Sequence, residues 1–311
     1  MEKEKLAQAI NWETILKLYN DDYEKACKVW DLYKHMFLFP ISSDFSLWSV
    51  KLDVSINKLF ETYSIIKDNF KDLLSETKIL VYGDTYWPNQ INDFPYPTRV
   101  LYCLGKVELL SKTNVSIIGT KSPAAKSVDK IDKVVDNLIK NEILVNSSLS
   151  FGIAGHAAVK SLSSFAPVIA VIPTSLDKYY PKEHKDIQSY IAKEGGVVIT
   201  RVAPRDKNIK WNILLRNRLM SALSSSLLIL EEVDGGGSIQ IADFALSNNR
   251  DVYFFSSLKS DSSISWPQKL INKGAKTLRF PSDLPKAING IVPVKLNKKR
   301  ESEEIVQMRL F

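Results

Sequence analysis

A chain of 311 residues, 45% hydrophobic and 25% charged, has the composition of a globular protein, and its length suggests two domains. No window approaches the roughly 18 uninterrupted apolar residues of a membrane span. The charged start MEKEKLAQ also lacks the apolar core of a secretory signal, so the expected location is cytoplasmic.

The net charge of +7 is unevenly held. Residues 1–75 contain ten Lys, no Arg and twelve Asp or Glu, which gives −2 and leaves +9 to the rest of the chain. A polyanion would be steered toward that second part. Cys27 and Cys103 form no CxxC pair and read as buried free thiols, in keeping with a reducing compartment. His35, His156 and His184 lack the spaced cysteines of a metal site.

Residues 1–75 carry apolar side chains at helical spacing: Leu6, Ile10, Ile15, Leu16, Tyr19, Val29, Leu32, Tyr33 and Met36, then Ile56, Leu59, Phe60, Tyr63 and Ile66 after a break at Pro40 to Ser49. They predict a small all-α module without a chemical motif. Residues 76–112, with Pro88, Pro95, Pro97 and the aromatics Tyr86, Trp87, Phe94 and Tyr96, read as an ordered connector holding one short strand, Val100 to Leu104.

From Val115 strands and helices alternate. The predicted strands are Val115 to Gly119, Ile143 to Val145, Val168 to Ile172, Val197 to Thr200, Leu227 to Leu230, Val252 to Phe255 and Lys276 to Phe280. Between them lie helices over Ser127 to Asn141, Gly155 to Ser163, a stretch from Glu183, the turns around Leu215, Leu219 and Leu223, a helix from Ser238 to Leu246, and Trp266 to Lys273. The fold class is therefore α/β: an extended Rossmann-like, mostly parallel sheet over 113–290 with helices on both faces, plus the N-terminal all-α module. Residues 291–311 read as a flexible tail.

Three stretches could bind an anion. Gly119, Thr120 and Lys121 follow the first strand of the alternating region, where open α/β sheets place ligands. No GxGxxG or GxxxxGK[ST] stands there, which argues against a dinucleotide or ATP, and no cofactor is expected. Gly235, Gly236 and Gly237, ahead of the N-cap Ser238, form a candidate backbone nest or a plain flexible turn. Lys210, Arg216 and Arg218 decorate the helix before it, and arginines two positions apart cannot share a helix face. Tyr179 and Tyr180, set between Lys178 and Lys182, suit stacking of unpaired bases along a phosphate track, or equally packing on the sheet edge. Ser148, Ser150, His156 and Asp177 lack the GxSxG elbow of a hydrolase, and Glu231 and Glu232 have no evident partner, so no catalytic set emerges.

In order and spacing, VSIIGTKSP (Val115 to Pro123), SLDKYYPKEH (Ser175 to His184), LLRNRLMSALS (Leu214 to Ser224), GGSIQIADFAL (Gly236 to Leu246) and LINKGA (Leu270 to Ala275) resemble the DNA processing protein A family, DprA or Smf, over Tyr86 to Ile288. The resemblance implies a homodimer, not an enzyme, that binds single-stranded DNA and helps load the recombinase RecA during natural transformation. Carried over by position, the family's GSR falls on Gly119, Thr120 and Lys121, and its arginine–asparagine–arginine element on Arg216, Asn217 and Arg218. Its upstream lysine falls on Lys210, and the aromatic that should follow is Ile213, with Trp211 nearby as a substitute. The family's SGLARGID segment is altered here to Asn146 to Ala154, with Phe151 in place of its arginine and Ala154 in place of its aspartate. Pro173 and Ser175 replace two further glycines.

The expected DNA contacts are thus Gly119, Thr120, Lys121, Lys182, Lys210, Trp211, Arg216, Asn217, Arg218, Gly236, Gly237 and Ser238. The final residues Gln307, Leu310 and Phe311 resemble, in their Q-x-x-L-F form, peptides that dock on the bacterial sliding clamp, a second candidate partner. The alternatives are a phosphoribohydrolase-like, nucleotide-processing enzyme of related fold and a scaffold that binds the clamp alone.

Overall fold

The computed structural model of the protein describes residues 2–289 apart from 93 and 207. The chain opens with four helices, α1 (Glu2–Leu18), α2 (Tyr23–Tyr33), α3 (Phe45–Leu52) and α4 (Ile56–Asn69). Asp22, Asp44 and Ser55 cap α2, α3 and α4 by accepting the backbone N–H three residues on, at 3.0, 2.9 and 3.3 Å. Inside, Trp12, Trp30, Phe37 and Trp48 stack or meet edge-on, Trp30–Phe37 at 4.8 Å and Phe37–Trp48 at 4.7 Å between ring centroids.

Then follow β1 (Lys78–Val81), β2 (Val100–Gly105), β3 (Asn114–Ile118), α5 (Ala125–Lys140), β4 (Leu144–Ser147), α6 (Ile153–Ser163), β5 (Val168–Val171), α7 (Lys185–Tyr190) and β6 (Gly196–Thr200). The chain continues with α8 (Ile209–Leu223), β7 (Ser226–Ile229), α9 (Gly237–Ser247), β8 (Asp251–Phe255), α10 (Ser256–Lys259), α11 (Trp266–Asn272), β9 (Lys276–Leu278) and α12 (Asp283–Asn289). Among the described residues nine strands form one sheet in the order β1-β2-β6-β5-β4-β3-β7-β8-β9. It is parallel from β6 to β9 and antiparallel at β1–β2 and β2–β6. The mixed, mostly parallel sheet matches the predicted class, and its buried strands, fully apolar at Val168–Val171, explain why continuous hydrophobic runs marked them.

Two features depart from the sequence reading. Residues 76–112 are not a connector: β2 adds to the sheet antiparallel to β6, with Cys103 opposite Ile199, and β1 pairs antiparallel with β2 at the edge. Residues 1–75 also share a hydrophobic core with the sheet, since Trp12, Ile15 and Leu59 belong to the same cluster as Tyr102, Val168 and Val198. Polar ties reinforce the junction. Arg99 forks onto Asp31 at 2.9 and 2.7 Å. The Tyr102 hydroxyl donates to Glu13 at 2.8 Å, and burial pushes that carboxyl up to about 8 against the opposing effect of this hydrogen bond.

Candidate nucleic-acid interface

Strand order reverses between β3 and β7: the chain winds from β3 outward through β4, β5 and β6, then crosses to β7, β8 and β9. The crevice at the carboxyl ends of β3 and β7 is where such sheets bind ligands. Gly119, Thr120 and Lys121 lie there, with Lys121 exposed. The Thr120 N–H donates to the Glu231 carbonyl at 2.8 Å, which pins the loop to the end of β7.

The two helix N-termini that open on this crevice are already served by carboxylates of the chain. Glu231 accepts from the Ala124 N–H at 3.0 Å, immediately ahead of α5. Glu232, 7% exposed, accepts from the N–H groups of Val233 and Ser238 at 3.0 and 3.2 Å, at the start of α9. A Cβ at Gly236 would run into the Glu232 carboxylate, so the glycine run is shaped around an internal acid. The expected contacts Gly236, Gly237 and Ser238 do not form an open anion nest: the Ser238 N–H is taken by Glu232 and the Gly236 N–H donates to the Val233 carbonyl at 3.1 Å, so an acid of the chain sits at the helix end where a phosphate would approach.

The positive groups gather on the other side of β3. The segment Ser148 to Gly152, after β4, packs directly on the Thr120–Lys121 backbone, and the Ile153 N–H donates to the Thr120 carbonyl at 3.2 Å. Gly152 has φ +72°, and a Cβ there would run into the Thr120 carbonyl oxygen; only glycine allows this approach. From the next loop, Lys182 is exposed and the His184 ring reaches across, with Nδ1 2.8 Å from the Leu149 carbonyl oxygen. Tyr180 is 40% exposed, while Lys185 lies 5.7 Å from the Tyr179 ring centroid.

Beneath these loops is Arg216 of α8. It is 5% exposed; Nη1 donates to the Ser148 carbonyl at 2.7 Å and Nε to Asn217 Oδ1 at 2.8 Å. Burial pushes its guanidinium down to about 10, with nearby Tyr180 acting in the opposite sense, so it stays charged at neutral pH. Neither hydrogen-bond partner is anionic. A buried cation held by neutral dipoles alone favours an approaching anion. Lys121 and Lys182 are exposed on the loops after β3 and β5, and the Arg216 guanidinium is bonded to the loop after β4 that touches both, with Asn217 accepting from its Nε.

Arg218 and Trp211 are not brought to this cluster. The Arg218 guanidinium carbon sits 3.7 Å from the Tyr96 ring centroid and 5.3 Å from that of Phe244. Trp211 meets the same Tyr96 edge-on at 5.8 Å. Arg201, which donates to the Tyr96 carbonyl at 2.8 Å, lies over Tyr23 at 4.2 Å. Lys210 is exposed at the start of α8, capped by Asn208. The triad that could be written on paper does not assemble: His156 faces Asp132 at 3.1 Å, and the Ser148 and Ser150 hydroxyls meet at 3.0 Å. Gln307, Leu310 and Phe311 lie outside the described residues.

Sequence reasoning singled out Glu231 and Glu232 without finding their partners, and it treated Tyr96 as part of a connector. The available signal was the pair of acids directly after a strand and ahead of a glycine run, a place where helix N–H groups need acceptors. Among the described residues no group of three or more His, Cys, Asp or Glu is placed to hold a metal, and no helix is long and apolar enough to cross a membrane.

An open, mostly parallel sheet with helices on both faces and a strand-order reversal between β3 and β7 defines the class as Rossmann-like. The family model for DNA recombination-mediator protein A matches residues 78–289, and the chain belongs to that family. It is 28% identical over 200 residues to the DNA processing protein DprA of Bacillus subtilis, covering 64% of this chain and 66% of that protein. It is 27% identical over 201 residues to DprA of Streptococcus pneumoniae, covering 65% and 71%. The crystal structure of Streptococcus pneumoniae DprA superposes with a TM-score of 0.70 at 21% identity, over 91% of this chain and 95% of that one, and shows the shared fold. A Helicobacter pylori DNA processing protein A, whose structure describes a single-stranded DNA binding mode, superposes with a TM-score of 0.60 at 25% identity over 69% and 97%.

Proposed function

We propose that this chain is a single-stranded DNA-binding recombination mediator whose DNA lies across the cleft of Lys121, Lys182 and Arg216, with Lys210 extending the track. The observation that carries the reading is the buried Arg216 guanidinium, charged and without a carboxylate partner among the described residues, beneath two exposed lysines on neighbouring loops. Family membership and the DNA-binding relative support it. A binding rather than catalytic role is favoured because Glu231 and Glu232 occupy the helix N-termini where a nucleotide phosphate would sit. Arg218 and Trp211 belong to packing around Tyr96 and are left out of the DNA surface. RecA, a second copy of the chain and, through Gln307, Leu310 and Phe311, the sliding clamp are proposed partners.

Fluorescence anisotropy with a labelled single strand and its duplex at two salt concentrations tests the reading. The expected result is single-strand preference, with affinity falling as salt rises. Binding that ignores salt, or that favours the duplex, would refute it.

A further inference from the structure

Phe151 is 41% exposed at the mouth of the cleft. One exposed phenylalanine means little by itself, since apolar atoms make up much of any surface. Its seat is what singles it out. The loop that carries it is rigidly built: Leu149 has φ +50° and Gly152 φ +72°, and the Leu149 N–H donates to Ser147 Oγ at 3.0 Å. The Ser148 and Ser150 hydroxyls meet at 3.0 Å, and the Leu149 carbonyl is held by the His184 ring. That same ring meets Phe151 edge-on, 4.9 Å between centroids at 69°. The neighbouring Gly152 is wedged against Lys121, and His184 belongs to the turn that starts at Lys182. The ring is thus held against His184, on a loop that touches both the Thr120–Lys121 backbone and the Lys182–His184 turn, each of which carries an exposed lysine.

On the single-strand reading above, we propose that Phe151 is a stacking platform for one unpaired base, with Lys121 and Lys182 taking the phosphates on either side. The His184 contact holds the ring before the base arrives, so little rotamer freedom is lost on binding. Stacking on a fixed ring tolerates any base, because every base has a π-face. It also discriminates against duplex, whose bases are already stacked on each other.

The test compares a labelled oligothymidylate with an abasic strand of equal length, bound by the full chain and by Phe151→Ala, Phe151→Trp and Lys121→Ala. The unsubstituted protein should bind the base-bearing strand about 5- to 150-fold more tightly, the range that one stacked base supplies. Phe151→Ala should lose that ratio while keeping the salt dependence, and Phe151→Trp should keep both. Lys121→Ala should show the reverse pattern, an unchanged ratio with a salt slope smaller by about one. If Phe151→Ala keeps the full ratio, the platform is overturned while the DNA site stands. If the unsubstituted protein binds neither strand, the DNA reading falls and the platform with it.

Discussion

Arg216 and Arg218 stand two positions apart on one helix and live in opposite environments. Arg216 points to the loop after β4, where it donates to the Ser148 carbonyl, and its other partner is the amide oxygen of Asn217 on its own helix. Arg218 points to the connection between β1 and β2, clasped by the rings of Tyr96 and Phe244, with Nε and Nη1 buried and without a hydrogen-bond partner among the described residues. The first is a charge set among dipoles near exposed lysines; the second is a charge held by quadrupoles inside a packed cluster. Equal charge on one helix therefore separates into a group available to a ligand and a group that fastens the fold.

The largest effect expected from breaking this contrast is on stability. Arg218→Ala removes two ring contacts and the packing of the side-chain stem, and should cost about 2–4 kcal/mol in urea unfolding. Its single-strand affinity should stay within about twofold, well under 1 kcal/mol. A large loss of affinity with unchanged unfolding would dissolve the distinction between the two arginines. Arg216→Ala should do the reverse, weakening single-strand binding about 10- to 100-fold, or roughly 1.4–2.7 kcal/mol, measured by anisotropy at fixed salt.

The junction with the N-terminal helices gives a pH signature instead. Burial raises Glu13 to about 8 in the folded chain, with Asp206 and Asp21 acting in the same direction and Arg201 opposing them. Between the ordinary carboxyl range and pH 8 the folded state holds a proton that the unfolded state has lost. Stability should therefore fall as pH rises through that window, by at most about 1.4 kcal/mol per pH unit for one proton, and level off above it. Glu13→Gln should flatten the profile; a slope that survives the substitution assigns it to another group.

Lys121→Ala and Lys182→Ala should each cost about 1 kcal/mol of binding, roughly fivefold, and each lower the salt slope by about one. Smallest is Glu231→Gln. Neutralising the acid ahead of α5 removes a repulsion beside Lys121 and a favourable helix-end charge together. Single-strand affinity should rise about twofold, while unfolding free energy falls by about 0.3–1 kcal/mol. Unchanged affinity would place the phosphates away from the α5 terminus.

What was legible in the sequence follows a physical line. The strand at Val168–Val171 and the helix over Ala125–Lys140 declare themselves through continuous apolar runs and 3.6-residue spacing, because burial of a face is written locally. The turn at Gly119 to Lys121 was legible for a related reason: a glycine between strand and helix is a local pattern. The strand β1 was missed because only four residues, Lys78–Val81, form it, within a stretch rich in prolines and aromatics.

The chain by itself thus determined the order of its elements, its class, its charge asymmetry and the residue types at the cleft. Tertiary structure alone decided which of those charges stay exposed and which are buried or paired. Glu231 meets Ala124 across 107 positions of chain, Arg216 meets Ser148 across 68, and Arg201 reaches Tyr96 across 105. Whether a charge is displayed, paired or sealed is set by such distant neighbours, since desolvation and hydrogen bonding depend on what packs around a group and not on what precedes it in sequence.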